Sequence, residues 1–428
     1  MRLGGRLAAA IEVIEDIERR HRPASEALKD WGLSHRFAGA GDRAAIGNIV
    51  YDALRRKRSA AWLLGSDAPR ALGFGALALG LSLSAEAINR ALDGDRFAPA
   101  PLSPEELDGL DAARLADAPP AVRADCPEWC VPLVEEAFGD DWTDEVTALS
   151  GRPPLDLRVN TLLSDRDRVL EELRETGAAP TVLAPEGIRI QPIEGQGRHP
   201  NVQAEPAFQK GWFEVQDEGS QVVAHLADAI EGMQVLDYCA GAGGKTLALA
   251  AAMGNRGQIF AHDAEKQRLA PIFDRLRRSG ARNVQTVAGA SGLQPLAGEM
   301  DLVLVDAPCT GSGTWRRRPD AKWRLTDRQL DVRLREQATI LDAAKAFVKP
   351  GGRLAYITCS IFPQENQHQV AAFLAGNPDF EAADHAALWR DFWPSAPDRA
   401  RAVDPGIVLT PARTGTDGFF FASLRRRG

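Results

Sequence analysis

Long apolar runs are missing from this sequence. No stretch approaches the roughly 18 consecutive apolar residues that a membrane-spanning helix needs. The first residues mix acidic side chains into the apolar positions, which is not the pattern of a secretory signal. These absences argue against a membrane protein or a secreted protein, and we expect a cytoplasmic one.

Cysteine is scarce. The 428 residues contain five cysteines, none of them in a C-x-x-C pair: Cys126, Cys130, Cys239, Cys309 and Cys359. So few scattered thiols exclude a disulfide framework. Cys126 and Cys130 lack the nearby second Cys/His pair that a zinc site requires, so we expect no metal. Reduced thiols with separate roles are predicted instead.

An excess of positive charge is also lacking. The net charge is -8 and the isoelectric point is about 5.5. A protein that coats nucleic acid without specificity depends on neutralising phosphates, so the charge argues against that class. Local basic clusters, such as residues 55–58 and 316–318, leave a specific nucleic-acid partner open.

The length predicts two or three domains. Residues 1–95 show apolar side chains at helical spacing, which indicates a helical bundle. Six prolines interrupt the next stretch, so we interpret residues 96–127 as a linker. Short strand and helix patterns over residues 128–231 predict a small α+β domain.

From residue 232 to 428 apolar runs alternate with helical stretches, including one predicted helix over 265–278. This alternation is typical of an α/β fold with a doubly wound, mostly parallel sheet, which binds its ligand at the carboxyl ends of the strands.

A glycine-rich turn follows the first apolar run. It reads Cys239-Ala240-Gly241-Ala242-Gly243-Gly244-Lys245. A phosphate-binding P-loop would need glycine where Cys239 stands, and a dinucleotide loop would have a small third residue where Thr246 stands. A third possibility is a loop for S-adenosylmethionine, whose ribose would meet Asp263 at the end of the next run, about 20 residues after Gly241.

Two cysteines follow neighbouring apolar runs. Asp306 and Cys309 come after one run and Cys359 after another, so their side chains are expected to converge on one cleft. Packing is the ordinary role of a buried cysteine, but it does not explain two thiols at strand exits beside an aspartate. A thiolate that attacks carbon 6 of cytosine activates carbon 5 for methylation, and an acid near ring nitrogen 3 assists. The second thiol would assist the later elimination.

Several motifs resemble those of the RsmB/Sun (Fmu) and NSUN family of RNA cytosine-5 methyltransferases, in the same order, from about residue 155 to the end. The matching segments are Cys239–Lys245, Asp306–Gly311, Gly313–Arg317, Pro319–Trp323, Thr358–Ser360 with Pro363, Glu365 and Asn366, Leu157–Thr161, Val215–Ser220 and Asp417–Phe420. The resemblance implies a Rossmann-like class I methyltransferase sheet preceded by an RNA-binding α+β domain.

The resemblance also implies residue roles. Cys359 would attack the base, Cys309 would help to release the product, and Asp306 would hydrogen-bond the cytosine. The DNA cytosine-5 enzymes use the other cysteine as nucleophile. S-adenosylmethionine would be held by the Cys239–Lys245 loop, Asp263 and Asp306. The RNA contacts expected within or beside these motifs are Arg158, Asn160, Arg316, Arg317 and Lys322.

The helical region resembles the NusB-type RNA-binding domain of bacterial RsmB enzymes, through Asp42-Arg43 and residues 49–55. This implies 16S rRNA as substrate, and we expect a monomer. Three alternatives stay open: the same chemistry on tRNA or another RNA, a non-catalytic RNA-binding protein of ribosome assembly, and DNA methylation. The last lacks a separate target-recognition domain between the two cysteines.

Two positions depart from the family pattern. Ala242 replaces a proline of the cofactor loop. The acid that the family carries after its third strand is absent, because Gly289 and Ala290 stand there. The group that contacts the adenine in its place is not predicted by the sequence.

Overall fold

The structure is a computed structural model that describes residues 1–192, 195 and 197–428. The chain divides into two compact units. The first unit consists of Met1–Pro153, Pro192–His199 and Trp315–Leu325, and the second of Pro154–Gln191, Pro200–Thr314 and Thr326–Gly428.

The first unit is built from helices. Their bounds are Leu3–Arg20, Ala24–Ser34, Ala40–Arg55, Lys57–Leu64, Pro69–Leu81, Ala85–Leu92, Pro104–Gly109, Pro120–Arg123, Val131–Phe138, Trp142–Ala148 and Pro319–Arg324. Leu7 and Ile14, two turns apart on the first helix, are fully buried, as are Ile46 and Val50 on the third. The predicted N-terminal helical bundle is found, and the helices of this unit continue beyond residue 95.

No single helix of the described residues is both long enough and apolar enough to cross a membrane; Pro69–Leu81 and Ala85–Leu92 pass that test only as a pair, bent by 114°.

The segment interpreted as a linker belongs to the first unit instead. Leu102 and Leu110 are buried in the same core as the preceding helices. Pro104 and Pro120 stand at the first helical position of short helices, where a missing N–H group costs nothing. These prolines therefore start helices. The one short helix that the sequence predicts in this stretch, near Pro104 to Leu115, is found at Pro104–Gly109.

One segment from the C-terminal half of the chain, Trp315–Leu325, also belongs to the first unit. The indole N–H of Trp323 donates to the carbonyl of Leu54 at 2.6 Å, and Arg55 donates to the carbonyl of Arg316 at 2.9 Å. The sequence assigned residues 232–428 to one domain, but Trp315–Leu325 packs with the helices.

The second unit contains a small antiparallel sheet. Its strands are β1 (Leu155–Val159), β2 (Ala179–Pro180), β3 (Gly187–Ile190) and β4 (Phe213–Val215), in the order β2-β3-β1-β4. The accompanying helices are Arg166–Glu172 and Pro206–Gln209. Leu157, Val169, Ile188 and Phe213 are fully buried between sheet and helices. The small α+β arrangement matches the predicted fold, but residues 128–153, which the prediction included in it, belong to the first unit.

The large sheet of the second unit carries the remaining strands. They are β5 (Gln234–Asp237), β6 (Gln258–His262), β7 (Val284–Val287), β8 (Met300–Asp306), β9 (Val348–Thr358), β10 (Phe380–Ala382), β11 (Arg401–Val403), β12 (Gly406–Leu409) and β13 (Phe419–Arg426). The order is β11-β12-β13-β9-β8-β5-β6-β7, with β10 paired to β13. The accompanying helices are Glu218–Leu226, Gly244–Ala252, Lys266–Leu269, Ile272–Ser279, Gly289–Leu293, Asp327–Ala344, Gln367–Gly376, His385–Phe392 and Pro411–Thr414.

Strands β7, β6, β5, β8 and β9 are mutually parallel, and β13 is antiparallel to β9. The four residues Leu302–Val305 of β8 are all buried, as expected where helices cover both faces of a parallel sheet. The doubly wound α/β fold is therefore confirmed, with an antiparallel edge. The helix predicted over 265–278 is broken at Pro271, which precedes the helix Ile272–Ser279.

Gly211 lies where the loop before β4 approaches the end of the helix Ile272–Ser279. It has a φ of +76°, and a Cβ atom there would lie 1.9 Å from the carbonyl oxygen of Arg278. Gly177 has a similar φ of +71° but open space around it. We expect Gly211→Ala to lower the free energy of unfolding by about 2 to 5 kcal/mol, the sum of a left-handed residue and a clash.

Gly177→Ala is the matched control and should cost only the backbone term, about 1 to 2 kcal/mol. Urea denaturation of both variants measures the difference. Equal losses would contradict the close approach of Gly211 to Arg278.

Candidate active site

Three functional segments leave neighbouring parallel strands at the same edge of the large sheet. The glycine-rich loop follows β5, the Asp306 segment follows β8, and the Cys359 segment follows β9. The chain runs from β5 outward to β7 and then returns to β8 on the other side of β5. This reversal creates a crevice between the carboxyl ends of β5 and β8, where ligands bind in such sheets.

The glycine-rich loop is held in a tight turn before the helix Gly244–Ala252. The amide of Gly243 donates to the carbonyl of Ala240 at 2.8 Å. Gly243 has a φ of +83°, and a Cβ atom there would lie 2.5 Å from Ile272. Glycine is therefore required at this position, and the turn leaves the N-terminal amides of the helix available to a ligand.

Asp263 follows β6 and closes one side of the loop. Its Oδ2 atom accepts from the amide of Gly241 at 3.0 Å, and its Oδ1 atom accepts from the amide of Glu265 at 2.9 Å. The side chain is almost entirely buried. Each carboxylate oxygen has further acceptor capacity, so the group can receive hydroxyl donors from a ligand.

Asp237, which the sequence analysis did not single out, lies at the end of β5 beneath this loop. Burial raises the pKa of its carboxyl group to about 7, although the hydroxyl of Thr246 donates to Oδ2 at 2.6 Å. Its Oδ1 atom is buried without a hydrogen-bond partner among the described residues. A buried acceptor of this kind is costly unless a donor from a ligand reaches it.

Other loop residues have structural contacts. Burial raises the pKa of the Cys239 thiol, so this sulfur stays protonated. The carbonyl of Ala242 accepts from Arg275 at 2.8 Å, which ties the loop to the helix Ile272–Ser279. Lys245 is buried, and its Nζ atom donates to Oδ2 of Asp306 at 2.6 Å. This pair links the loop helix to the end of β8.

The two cysteines predicted to converge do so. The Sγ atoms of Cys309 and Cys359 lie 3.3 Å apart, and both side chains are half-buried. The hydrogen bond with Cys359, burial and the charge of Glu365 together raise the pKa of Cys309 well above its ordinary value. The raised pKa favours the protonated form of the Cys309 thiol, and either sulfur can be the donor in the contact between the two.

Buried hydroxyl and amide groups fix the backbone around Cys359. Its carbonyl accepts from the amide of Gly313 at 3.0 Å, and the hydroxyls of Ser312 and Ser360 lie 2.9 Å apart. Thr358 donates to Asn366 at 2.6 Å. These bonds join the two loops that carry the sulfurs, so the distance between the thiols is set by main-chain as well as side-chain contacts.

Glu365 and Gln337 bind the loop on the Cys309 side. Glu365 is fully buried and accepts from the amide and the hydroxyl of Thr310 at 2.8 and 2.5 Å. Gln337 donates to Glu365 at 2.9 Å and to the carbonyl of Pro308 at 3.0 Å. Glu365 lies in the motif that begins at Thr358, but the sequence predicts no role for it. No local sequence pattern indicates a role for Gln337, which lies on the helix Asp327–Ala344.

Two residues expected to contact RNA are buried in the second unit instead. Arg158 donates to Gln216 at 2.7 Å, and burial lowers its pKa to about 10. The side-chain amide of Asn160 donates to the carbonyls of Gly211 and Ser279, both at 2.8 Å. The bond to Ser279 ties the small sheet to the helix Ile272–Ser279, whereas the bond to Gln216 stays next to β4. Both residues therefore have structural contacts.

Lys322, Arg316 and Arg317 lie in the first unit. Lys322 is fully buried, its Nζ atom donates to the hydroxyl of Ser150 at 3.1 Å, and burial lowers its pKa to about 8. Arg316 is also buried, whereas Arg317 is half-buried. The burial of Lys322 and Arg316 is the opposite of what a direct RNA contact requires. The contact predicted for Arg317 stays a prediction.

Comparison with known proteins identifies the family of the chain. Residues 224–425 match the family model of the 16S rRNA methyltransferases RsmB/F, and residues 126–193 match the ferredoxin-like domain of RsmF/B-like methyltransferases. The chain is 35% identical over 305 residues to ribosomal RNA small subunit methyltransferase B of Klebsiella pneumoniae, and 36% identical over 307 residues to that of Salmonella newport. Each match covers 70% of this chain and 66% of the relative, slightly less than two thirds of its length.

Solved structures extend the likeness. A protein named PH0851 is 26% identical and superposes with a TM-score of 0.73, covering 100% of both chains. A methyltransferase homologue from Pyrococcus horikoshii is also 26% identical, with a TM-score of 0.57 over 72% of this chain and 97% of that one. The two family models, the curated relatives and the paired cysteines agree: the chain belongs to the RsmB/F methyltransferase family.

Proposed function

We propose that this chain transfers a methyl group from S-adenosylmethionine to carbon 5 of a cytosine in 16S rRNA, through a transient bond between the Cys359 sulfur and carbon 6. The observation that carries the proposal is the pair of sulfurs 3.3 Å apart at the ends of adjacent strands. The choice of 16S rRNA rests on the names of the matching family and of its small-subunit relatives.

The residues at the crevice fit the proposed cofactor. S-adenosylmethionine supplies an electrophilic methyl group when bound. The Cys239–Lys245 loop and Asp263 would hold it, since Asp263 has acceptor capacity for two ribose hydroxyls. The unpartnered Oδ1 atom of Asp237 offers a further acceptor for a donor of the ligand.

The resemblance of the Thr358–Ser360 segment to the family's T-C-S motif supports Cys359 as the nucleophile, which attacks as its thiolate. The raised pKa of Cys309 favours its thiol form, which suits a group that assists release. Attack on carbon 6 breaks the ring conjugation and leaves carbon 5 electron-rich. Asp306, oriented by Lys245, is the hydrogen-bonding partner for the ring as charge develops.

Product release reverses the covalent step. After methyl transfer, carbon 5 loses its proton to water, the electron pair of that bond restores the ring double bond, and the carbon 6–sulfur bond breaks with its pair returning to Cys359. The thiol of Cys309 lies beside that sulfur and assists the elimination. The base must leave its stack to reach both thiols, which favours single-stranded or opened RNA.

The two cysteines should fail in different ways. We expect Cys359→Ala to abolish methyl transfer and to form no protein–RNA adduct, because the nucleophile is gone. Cys309→Ala should also lose turnover but accumulate an adduct, because release is blocked. Denaturing electrophoresis with radiolabelled 16S rRNA and S-adenosylmethionine measures both.

Cys130→Ala is the matched control, since it removes a thiol of the first unit. It should retain transfer and show no adduct. Methylation by Cys359→Ala would overturn the assignment of the nucleophile, and an adduct-free Cys309→Ala would overturn the release role.

Asp263 should contribute to cofactor affinity. We expect Asp263→Ala to weaken binding of S-adenosylmethionine by roughly 10- to 100-fold, the effect of losing hydrogen bonds to a charged group. Calorimetric titration measures it, with Asp274→Ala as control, because Asp274 is an exposed acid of the helix Ile272–Ser279. An unchanged affinity for Asp263→Ala would mean that the ribose is held elsewhere.

A further inference from the structure

Two buried side chains, Glu365 and Gln337, bind the residues on either side of Cys309. Pro308, before it, has no N–H group, and its carbonyl accepts from Gln337 at 3.0 Å. Thr310, after it, donates its amide and hydroxyl to Glu365. Gln337 also donates to Glu365 at 2.9 Å, so the two residues form one clamp around Cys309.

The clamp is anchored independently of Cys309. Gln337 lies on the long helix Asp327–Ala344, and the main-chain carbonyl of Glu365 accepts from the hydroxyl of Tyr356 on β9 at 2.8 Å. Glu365 and Gln337 are both fully buried. The Glu365 carboxylate accepts three hydrogen bonds. They offset the cost of burying a charged group that can only accept hydrogen bonds.

We propose that Glu365 is a positioning residue for Cys309: through Thr310 and Gln337 it holds the Cys309 thiol beside the Cys359 sulfur. The inference deepens the proposed function and rests on it for the step concerned, the release of the product. The charge of Glu365 contributes to the raised pKa of Cys309, after the hydrogen bond with Cys359 and burial.

Glu365→Gln tests the clamp with little change of shape. The substitution removes the charge and places an NH₂ group beside Thr310 and Gln337, which are themselves hydrogen-bond donors. The loop that carries Cys309 should therefore loosen. Because the nearby negative charge is lost, the Cys309 thiol should also ionise more readily. We expect iodoacetamide to label Cys309 roughly tenfold faster relative to Cys359, the equivalent of one hydrogen bond to a charged group. Mass spectrometry of the free protein gives the ratio.

Two further variants sharpen the comparison. Tyr356→Phe removes the hydroxyl bonded to the Glu365 main chain but leaves the carboxylate and its three donors in place, so the labelling ratio should change much less than in Glu365→Gln. Thr310→Val removes one donor to Glu365 and should shift the ratio in the same direction as Glu365→Gln, by less. Thr310→Val also keeps the test available if Glu365→Gln does not fold.

The same variants are then assayed for the protein–RNA adduct. Glu365→Gln should accumulate it and Tyr356→Phe should not. An unchanged labelling ratio in Glu365→Gln, or an equal change in Tyr356→Phe, would overturn the positioning role. Labelling needs no RNA, so that result is separate from failure of the proposed function, which would appear as the absence of any adduct with Cys309→Ala.

Discussion

The parallel pairing of β8 with β9 is the constraint on which the site depends. Residues Leu302–Asp306 pair with Arg353–Ile357, so the segments after the two strands leave the sheet side by side. This register brings the Cys309 and Cys359 sulfurs to 3.3 Å. A shift of the register would separate the thiols and also the Asp306 carboxyl group from the glycine-rich loop, because Lys245 bridges the two.

Buried polar groups make that arrangement rigid. Asp237 and Glu365 are buried carboxyl groups, and each accepts a hydrogen bond from a threonine hydroxyl of a neighbouring segment. Such groups are costly when unsatisfied, so their hydrogen bonds permit few alternative loop positions. The raised pKa of Cys309 follows from the same arrangement, because the hydrogen bond with Cys359, burial and the nearby Glu365 charge all act on its thiol. Packing, protonation and the proposed order of attack and release are thus linked.

Much of this site could be predicted from the sequence because its signals are local. Apolar runs predicted the strands, and the residues that follow them, Asp306 and Cys359 among them, were found at the strand ends. What the sequence did not predict depends on contacts between distant residues. The clamp joins Gln337 to Glu365, and Trp323 packs on Leu54 in the first unit. Arg158 and Asn160 were expected to contact RNA because they lie in a motif that resembles the family's, but acceptors supplied by other segments hold them in the interior.

The central claim is tested most directly by trapping the covalent bond between the unaltered protein and its RNA substrate. Fluorine at carbon 5 of cytosine leaves no proton to remove after methyl transfer, so RNA containing 5-fluorocytidine should remain bonded to the attacking sulfur. Protease digestion and mass spectrometry then identify the modified peptide. The account predicts the nucleotide on Cys359. A nucleotide on Cys309, or none on either cysteine when S-adenosylmethionine is present, would contradict it.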